Sequence, residues 1–295
     1  MPLSDILAAW NQFFHAPVCC ASLVLFRILT GSILVTNAVL LIPLTEEYFG
    51  EAGAWNTKRW REQFGNRRFS ILTFLPDSTN SFRILLAVHL TSALGFLFGY
   101  LFHLSALVTF LTLVSIHHRN TFILSSGDTL LRIFTFLSIF SDASAAVSVD
   151  SWLAENTFAE FPLVAAWPIR LIQLQMSIVY LRTVFWKLRG RRWRDGTAAW
   201  YPLWVESYVR FRPPAWMLTR GTIRFATWGT LIAEVALGTL IWIREFRYPV
   251  LGSGILLHLI FDLILNLQFF SWIMIAGLVL FVAPEDVVSL LSRIL

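Results

Sequence analysis

The sequence predicts an all-α, polytopic integral membrane protein. Hydrophobic residues make up 57% of the 295-residue chain and charged residues only 14%, and the mean hydropathy is +0.66. An ordinary soluble domain does not have this composition. Apolar stretches close to the roughly 20 residues that span a bilayer recur along the chain. They lie near residues 22–42, 82–98, 101–117, 129–141, 166–186, 222–243, 248–265 and 267–283. We therefore expect about eight transmembrane helices in a single transmembrane domain, residues 1–295.

The segment before the first span, residues 1–20, lacks the basic region of a cleavable signal peptide and carries Asp5. The first span is therefore expected to be a permanent helix. Its two preceding cysteines, Cys19 and Cys20, are neighbours, and a disulfide between neighbours would be strained. We interpret them as small apolar residues at the membrane interface, with acylation as the alternative.

Charge is distributed unequally between the loops. Basic residues cluster in loops on one side of the predicted spans, at 58–68, 119, 187–194 and 210–224, whereas the loop that contains Asp142, Asp150, Glu155 and Glu160 has no Lys or Arg. The positive-inside rule makes the basic side cytoplasmic and puts both termini outside. The net charge of +5 is thereby assigned to loops at the membrane surface, and no nucleic-acid partner is expected.

Two loops on the basic side alternate aromatic and charged residues. In residues 54–65, Trp55, Trp60 and Phe64 alternate with basic side chains, and residues 197–211 repeat the pattern. Both are predicted to be short amphipathic helices at the interface. They form either an aromatic belt with snorkelling arginines or a lid over a cavity, and the two interpretations are compatible.

Several polar groups fall within the predicted spans, where lipid would disfavour them. Glu234 lies near the middle of the sixth span and must be protonated, paired with a cation such as Arg27, or facing water. We expect the pair with Arg27. Asp128 and Arg132 are four residues apart, as in an ion pair at a helix end. Gln173 and Gln175 are interpreted as hydrogen bonds between helices.

His258 and Asp262 also lie four apart on one helix face, which makes a metal site an alternative. Such a site needs further ligands, and the sequence has neither an H-E-x-x-H motif nor clustered ligands at metal-binding spacing. No metal is therefore expected. Gly-rich phosphate loops and a G-x-S-x-G elbow are absent, so nucleotide use and serine hydrolysis have no support.

A lysine at the end of the fifth span is followed by a compact signature. Tyr180 precedes Trp186-Lys187-Leu188, and Gly190, Trp193 and Asp195-Gly196 follow. A lysine at this depth has a smaller burial cost than one at a helix centre because it can snorkel. An apolar, partly dehydrated site also favours the neutral amine, so a lysine there can act as a base near neutral pH. Lys187 is therefore the strongest catalytic candidate.

These motifs occur together in one known family. They are Phe26-Arg27-x-Leu29-x-Gly31, Leu75-Pro76, Arg119-Asn120-x-x-Ile123 with Gly127-Asp128, Tyr180 with Lys187-Leu188-x-Gly190-x-x-Trp193-Arg194-Asp195-Gly196-Thr197-Ala198, and His258 followed by Phe270 and Met274. In this order the chain resembles the membrane part of vitamin K-dependent γ-carboxylase. It more closely resembles bacterial relatives that carry the horizontally transferred transmembrane (HTTM) domain, which implies a bacterial inner membrane, that is, a plasma membrane.

The resemblance implies that Lys187 deprotonates a quinol, either vitamin K hydroquinone or menaquinol. In the family, O2 then converts the quinol anion into a strong base, and CO2 adds to the carbanion that this base creates. His258 and Glu234 are implied as further catalytic residues around a cavity bounded by the first, fifth, sixth and seventh helices. The implied cofactor-binding residues are Asn120, Gln175, Tyr180, Trp193 and Arg27.

The chain departs from the family in two ways. His118-Arg119-Asn120 stands where the carboxylase has Asn-Asn-His, and because the sequence stops at Leu295 we expect it to lack the large extracytoplasmic region that grips protein substrates. The carboxylase also works on the lumenal side, opposite to the side that charge assigns to Lys187.

We expect a lyase-like enzyme that couples quinol oxidation by O2 to modification of a peptide or small substrate, carboxylation being one outcome. The alternative is a non-catalytic membrane protein that binds lipid or quinone, or an accessory factor in toxin-peptide maturation or immunity.

Overall fold

The computed structural model describes residues 2–50, 57–64, 68–76, 78–121, 124–156 and 160–293. The chain is mostly helical and divides into two compact units. The first comprises Met1–Arg170 and Ala283–Leu295, and the second comprises Leu171–Val282. The expectation of one domain over residues 1–295 stays a prediction.

The first unit is built from helices joined by short loops. They are α1 (Leu3–His15), α2 (Ala21–Leu41), α3 (Thr45–Phe49), α4 (Thr57–Phe64), α5 (Thr79–Phe98), α6 (Phe102–Arg119), α7 (Ser126–Ser138) and α8 (Val149–Glu155). A two-residue strand β1, Val18–Cys19, pairs antiparallel with β2, Leu163–Val164. Cys19 and Cys20 are both free thiols.

The second unit begins within α9 (Trp167–Arg189) and continues through α10 (Arg191–Arg194), α11 (Arg220–Gly238), α12 (Arg244–Ile264) and α13 (Phe270–Leu278). Short 3-10 turns at Ala198–Trp200, Pro202–Trp204, Ala215–Leu218, Leu240–Trp242 and Val279–Phe281 connect these helices. The last helix, α14 (Pro284–Leu291), belongs to the first unit and packs against α2.

Helices α2 and α5 pack closely because a glycine faces the contact. A Cβ on Gly31 would lie 2.7 Å from the Cα of Leu97, so only a glycine lets the two backbones approach to this distance. Helix α5 begins where the Ser78 hydroxyl accepts a hydrogen bond from the Ser81 N–H. It ends at Gly99, whose φ of +64° gives the left-handed helix termination that glycine adopts readily.

Arg27 is a structural cation in the interior of the first unit. Its side chain is 1% exposed and donates to the carbonyl of Ala143 at 3.1 Å and to the carbonyl of Val147. These bonds tie α2 to the loop before α8. The expectation that Arg27 is the counter-charge of Glu234 is wrong, because this guanidinium bonds to backbone carbonyls and the Glu234 carboxylate pairs with Lys187.

Three of the described helices, α2, α5 and α12, are long and apolar enough to cross a membrane. The number rises to four if Phe270–Phe281 and Pro284–Leu291 form one broken span. Helix α7 has 13 residues and is too short to cross roughly 30 Å of hydrocarbon. Helix α9 carries Arg182, Lys187 and Arg189. The count of eight spans is thus not confirmed, although the chain is a helical membrane protein.

The expected ion pair between Asp128 and Arg132 is wrong. The Asp128 carboxylate accepts a hydrogen bond from the Ser125 N–H at 2.6 Å and caps α7, while Arg132 donates to His118 Nε2 at 3.1 Å. The cap forms because the first N–H groups of a helix have no partner within the helix. His118 in turn contacts the carbonyl of Phe69 through Nδ1 at 2.7 Å.

Of the two segments expected to form amphipathic helices, 54–65 contains a helix and 197–211 does not. Within residues 54–65, α4 is helical, although residues 54–56 and 65 lie outside the described part. Trp60 is 1% exposed and donates to the carbonyl of His118, so it does not belong to an aromatic belt. The expectation of a helix over 197–211 is wrong. Two 3-10 turns form there instead, and Pro202 lacks the N–H that a continuous helix needs.

Candidate functional site

One cavity of the second unit brings together four polar residues that the sequence singles out. It has a volume of about 150 Å³ and is lined by Tyr180, Lys187, Glu234 and His258. The rest of its wall is mainly apolar and comprises Val179, Thr183, Phe261, Leu265, Leu267, Phe270 and Met274. Lys187, Glu234 and His258 therefore face one cavity, as expected. Its walls come from α9, α11, α12, α13 and the residues between α12 and α13, and the expected contribution of the first span stays a prediction.

Helix geometry places the polar residues on the cavity wall. Tyr180, Thr183 and Lys187 are spaced three and four residues apart on α9, so they share one face. His258 and Phe261 share a face of α12 in the same way. Glycine again permits close packing, because a Cβ on Gly254 of α12 would lie 2.7 Å from Leu237 of α11. The closely packed helices thus hold Glu234 and His258 beside one cavity.

Lys187 and Glu234 form a short ion pair at the cavity. The Lys187 Nζ donates to Glu234 Oε1 at 2.5 Å, with the two side chains 18% and 7% exposed. Nζ also lies 4.5 Å from the centroid of the Trp193 ring, as in a cation–π contact. The second carboxylate oxygen, Glu234 Oε2, is buried and has no hydrogen-bond partner among the described residues. It is therefore an open acceptor beside the lysine.

Tyr180 and His258 form the second polar pair of the cavity. The Tyr180 hydroxyl and His258 Nε2 are 2.9 Å apart and hydrogen-bonded. The Phe270 and Phe261 rings lie edge-on to the imidazole, with centroids at 5.9 and 6.2 Å. The other ring nitrogen, Nδ1, is buried and lacks a partner in the described part of the chain. The cavity wall thus includes two side chains with unsatisfied polar atoms, and native proteins rarely leave such atoms without a protein, water or ligand partner.

The signature after Lys187 forms a tight turn that holds Trp193. Gly196 has φ of +80°, and a Cβ there would lie 2.9 Å from Arg224, so the position favours glycine. The Asp195 carboxylate accepts hydrogen bonds from the Thr197 hydroxyl at 2.6 Å and the Thr197 N–H at 3.0 Å. These bonds hold the pKa of Asp195 below its usual range, and the bond from the Thr197 hydroxyl has the largest effect. The Asp-Gly-Thr part of the signature is therefore structural.

Three expected cofactor-binding residues are not among the lining residues of this cavity. Gln175 is half-buried on α9 but is not part of the lining, and its neighbour Gln173 donates to the Leu280 carbonyl at 2.7 Å. Asn120 belongs to the first unit, where its Nδ2 lies 3.4 Å from the Tyr48 carbonyl. Arg27 is the structural cation of that unit. Their role in binding a cofactor stays a prediction.

Asp262 is paired with Arg210 rather than poised as a metal ligand. Arg210 donates to the Asp262 carbonyl at 2.7 Å and to its carboxylate at 3.3 Å. No group of three or more His, Cys, Asp or Glu side chains suited to a metal occurs within the described ranges. The Arg210 N–H also donates to the Ile264 carbonyl, and the Asn266 N–H donates to the Tyr208 carbonyl. Residues 208–210 therefore lie beside the segment 264–266, which includes the lining residue Leu265. The sequence does not predict this contact.

Comparison with known proteins identifies the family of the chain. A family model of the HTTM domain matches residues 15–285, and this domain is the membrane domain of vitamin K-dependent carboxylase-like proteins. Over 122 residues the chain is 28% identical to the uncharacterized protein YitO of Bacillus subtilis strain 168. The similar stretch covers 39% of this chain and 39% of that relative, less than half of either. No solved structure matches the chain.

Proposed function

Because the chain belongs to the HTTM-domain family, we propose that it is a membrane-embedded enzyme that couples the oxidation of a quinol by O2 to the modification of a peptide or small substrate. Carboxylation with CO2 is one outcome of this chemistry. The observation that carries the proposal is the Lys187–Glu234 pair, which faces an apolar cavity with one carboxylate oxygen unpaired. We further propose that the protein lies in the bacterial inner membrane.

The lining of the cavity suits a quinol in polarity. A bound quinol would supply electrons and a hydroxyl proton. Glu234 Oε2 offers an acceptor for a hydroxyl group, and His258 Nδ1 offers a second polar contact. Phe261, Phe270 and Met274 offer apolar faces for a ring. The cavity thus combines an apolar body with a few polar groups, which is typical of sites for small organic ligands.

The Lys187–Glu234 pair is the proposed proton acceptor. With the Lys187 amine neutral and the Glu234 carboxylate ionised, the pair, bonded at 2.5 Å, can take up one proton from a quinol hydroxyl, which forms the ammonium and leaves the quinol anion. The carboxylate stays close to the amine and stabilises the ammonium form that results. A base must lie within hydrogen-bond reach of the proton that it removes, and the open side of the pair faces the cavity. Lys187 is therefore the base of the proposal, with Glu234 as its partner.

Tyr180 and His258 provide a second proton-handling pair. Both groups can donate or accept a proton, and their hydrogen bond joins α9 to α12. The surrounding lining is mainly apolar, and exclusion of water by a bound ligand in such a site would protect reactive oxygen intermediates from side reactions. We propose that His258 contacts the reacting groups through Nδ1 and that Tyr180 holds its imidazole in place.

The alternative function is a non-catalytic protein that binds lipid or quinone, including an accessory factor in toxin-peptide maturation or immunity. One observation favours it. The Lys187–Glu234 bond joins α9 to α11, and the Tyr180–His258 bond joins α9 to α12. Polar contacts of this kind also stabilise helix association in membranes without any catalysis.

Oxygen uptake tests the proposal. Purified wild-type protein supplied with vitamin K hydroquinone, menaquinol or a single-ring quinol should consume O2, and Lys187→Ala should abolish the uptake with little loss of folding. Lys187→Arg should fail as well, because a guanidinium does not release its proton at usable pH. Lys58, the other lysine of the chain, gives the control Lys58→Ala, which should retain activity. Equal uptake by wild type and both Lys187 variants would remove Lys187 from the mechanism.

A further inference from the structure

Helix α9 has a second face with charged residues, and this face does not line the cavity. The cavity face includes Tyr180, Thr183 and Lys187. Six other residues recur at intervals of three and one, so they form a single stripe along the helix, and all six side chains are exposed. We call this surface the outer stripe of α9, and it comprises Ile178, Leu181, Arg182, Phe185, Trp186 and Arg189.

Two arginines of the outer stripe contact the same pair of aromatic rings. The guanidinium carbons of Arg182 and Arg189 lie 5.0 and 4.9 Å from the centroid of the Trp186 ring. They lie 5.6 and 4.1 Å from the centroid of the Phe185 ring, and all four are cation–π distances. Because both cations lie against one ring, they are at most about 10 Å apart, which is close to one Debye length at roughly 0.1 M salt. The two positive charges therefore repel each other.

Neither guanidinium forms an ion pair with an acidic side chain among the described residues. Residues 182–194 contain six basic side chains and no Asp or Glu, and the lysine among them is already paired with Glu234. The aromatic rings attract each cation but carry no net charge. The outer stripe thus has uncompensated positive charge, which an anion bound between Arg182 and Arg189 would compensate.

The apolar half of the outer stripe indicates which kind of anion fits. Ile178 and Leu181 are 58% and 41% exposed and lie before the arginines along α9. From Ile178 to Arg189 the stripe extends over about 16 Å, given the rise per residue of an α-helix. An acyl chain can cover the apolar half while a phosphate bonds to the guanidinium groups, whose geometry matches phosphate oxygens. A free phosphate ion would leave the apolar half uncovered.

We propose that the outer stripe of α9 binds an anionic phospholipid, with its phosphate between Arg182 and Arg189 and its acyl chains along Ile178 and Leu181. Tryptophan is typical of the membrane–water interface, and anionic lipids attract basic residues near that surface. The lipid site is separate from the cavity and does not depend on the proposed quinol chemistry. It adds a binding site to the helix that carries Lys187.

Native mass spectrometry of the full chain in detergent tests the lipid site, with phosphatidylglycerol and phosphatidylcholine of identical acyl chains as probes. Wild-type protein should bind phosphatidylglycerol about tenfold more tightly than phosphatidylcholine, because two arginines attract its net negative charge. The variant Arg182→Gln/Arg189→Gln should bind the two lipids equally. The control Arg212→Gln/Arg220→Gln removes the same charge at two exposed positions outside the stripe and should keep the preference.

Competition with inorganic phosphate separates a lipid from a free anion. Phosphate at the concentration of the lipid should not displace phosphatidylglycerol, because it makes no contact with the apolar half of the stripe. All four substituted arginines are exposed, so both double variants should fold, with thermal midpoints close to that of the wild type. Equal binding of the two lipids by the wild type would overturn the proposal without any variant. An undiminished preference in Arg182→Gln/Arg189→Gln, an equal loss in the control, or displacement by phosphate would overturn it as well.

Discussion

Arg27 and Lys187 are cations within largely apolar helices, and each is stabilised in a different way. The Arg27 guanidinium has five donors in a fixed fork and bonds to the carbonyls of Ala143 and Val147. The Lys187 ammonium is a compact charge and bonds to the Glu234 carboxylate. Backbone carbonyls cannot take up a proton, whereas a carboxylate can. Of these two sites, only that of Lys187, whose side chain is 18% exposed, therefore pairs the cation with a group that can accept a proton.

Arg27→Met should lower the stability of the first unit and leave the affinity of the cavity for a quinol unchanged. The variant leaves two carbonyl partners without a donor, at about 1–3 kcal/mol for each buried group. We expect a lower thermal midpoint for unfolding in detergent, together with unchanged quinol affinity of the protein that remains folded. An unchanged midpoint combined with lost quinol binding would instead support a role of Arg27 in binding the cofactor.

The helices of each unit depend on polar contacts from distant parts of the sequence. In the first unit, the Asp150 carboxylate accepts the Leu101 N–H at 2.8 Å and the Phe102 N–H at 2.9 Å. It thereby caps α6 from the start of α8 and places a negative charge at the positive end of the helix dipole. In the second unit, the Arg210–Asp262 contacts anchor residues 208–210 beside the end of α12.

Asp150→Ala should destabilise the N-terminal turn of α6. Loss of a capping carboxylate typically costs about 1 kcal/mol, so we expect faster hydrogen exchange at the amides of residues 101 and 102 and a lower thermal midpoint. Asp150→Asn keeps an acceptor oxygen and should recover part of the loss. Equal exchange rates at these amides in wild type and Asp150→Ala would show that the carboxylate does not stabilise the helix.

For the whole molecule, composition and motif order predict the helical membrane class, the family and the grouping of Lys187, Glu234 and His258. The partners of the buried charges are harder to predict. Lys187 and Glu234 lie on different helices, 47 residues apart, and the sequence alone does not reveal how those helices are rotated. Arg27 bonds to backbone carbonyls, which have no sequence signature. Its bonds therefore differ from the ion pair with Glu234 that the sequence predicts.

Other features of the structure do have signals in the sequence. Leu3, Ile6, Leu7 and Trp10 follow helical spacing, and the structure shows them exposed along α1, as in a helix that lies at a membrane interface. Pro202 interrupts the aromatic pattern of 197–211, where 3-10 turns form. The count of eight spans is not confirmed, because the apolar stretches that form α9 and α11 also carry charged residues.

The central claim is that the cavity of the second unit binds a quinol next to the Lys187–Glu234 pair. Mass spectrometry of a lipid extract from natively purified protein tests it most directly, with Glu234→Gln prepared in parallel and Glu245→Gln as the control. We predict stoichiometric quinone in wild type and the control, and a several-fold loss in Glu234→Gln. Phospholipid without quinone in the wild-type extract, or equal quinone in all three proteins, would contradict the claim.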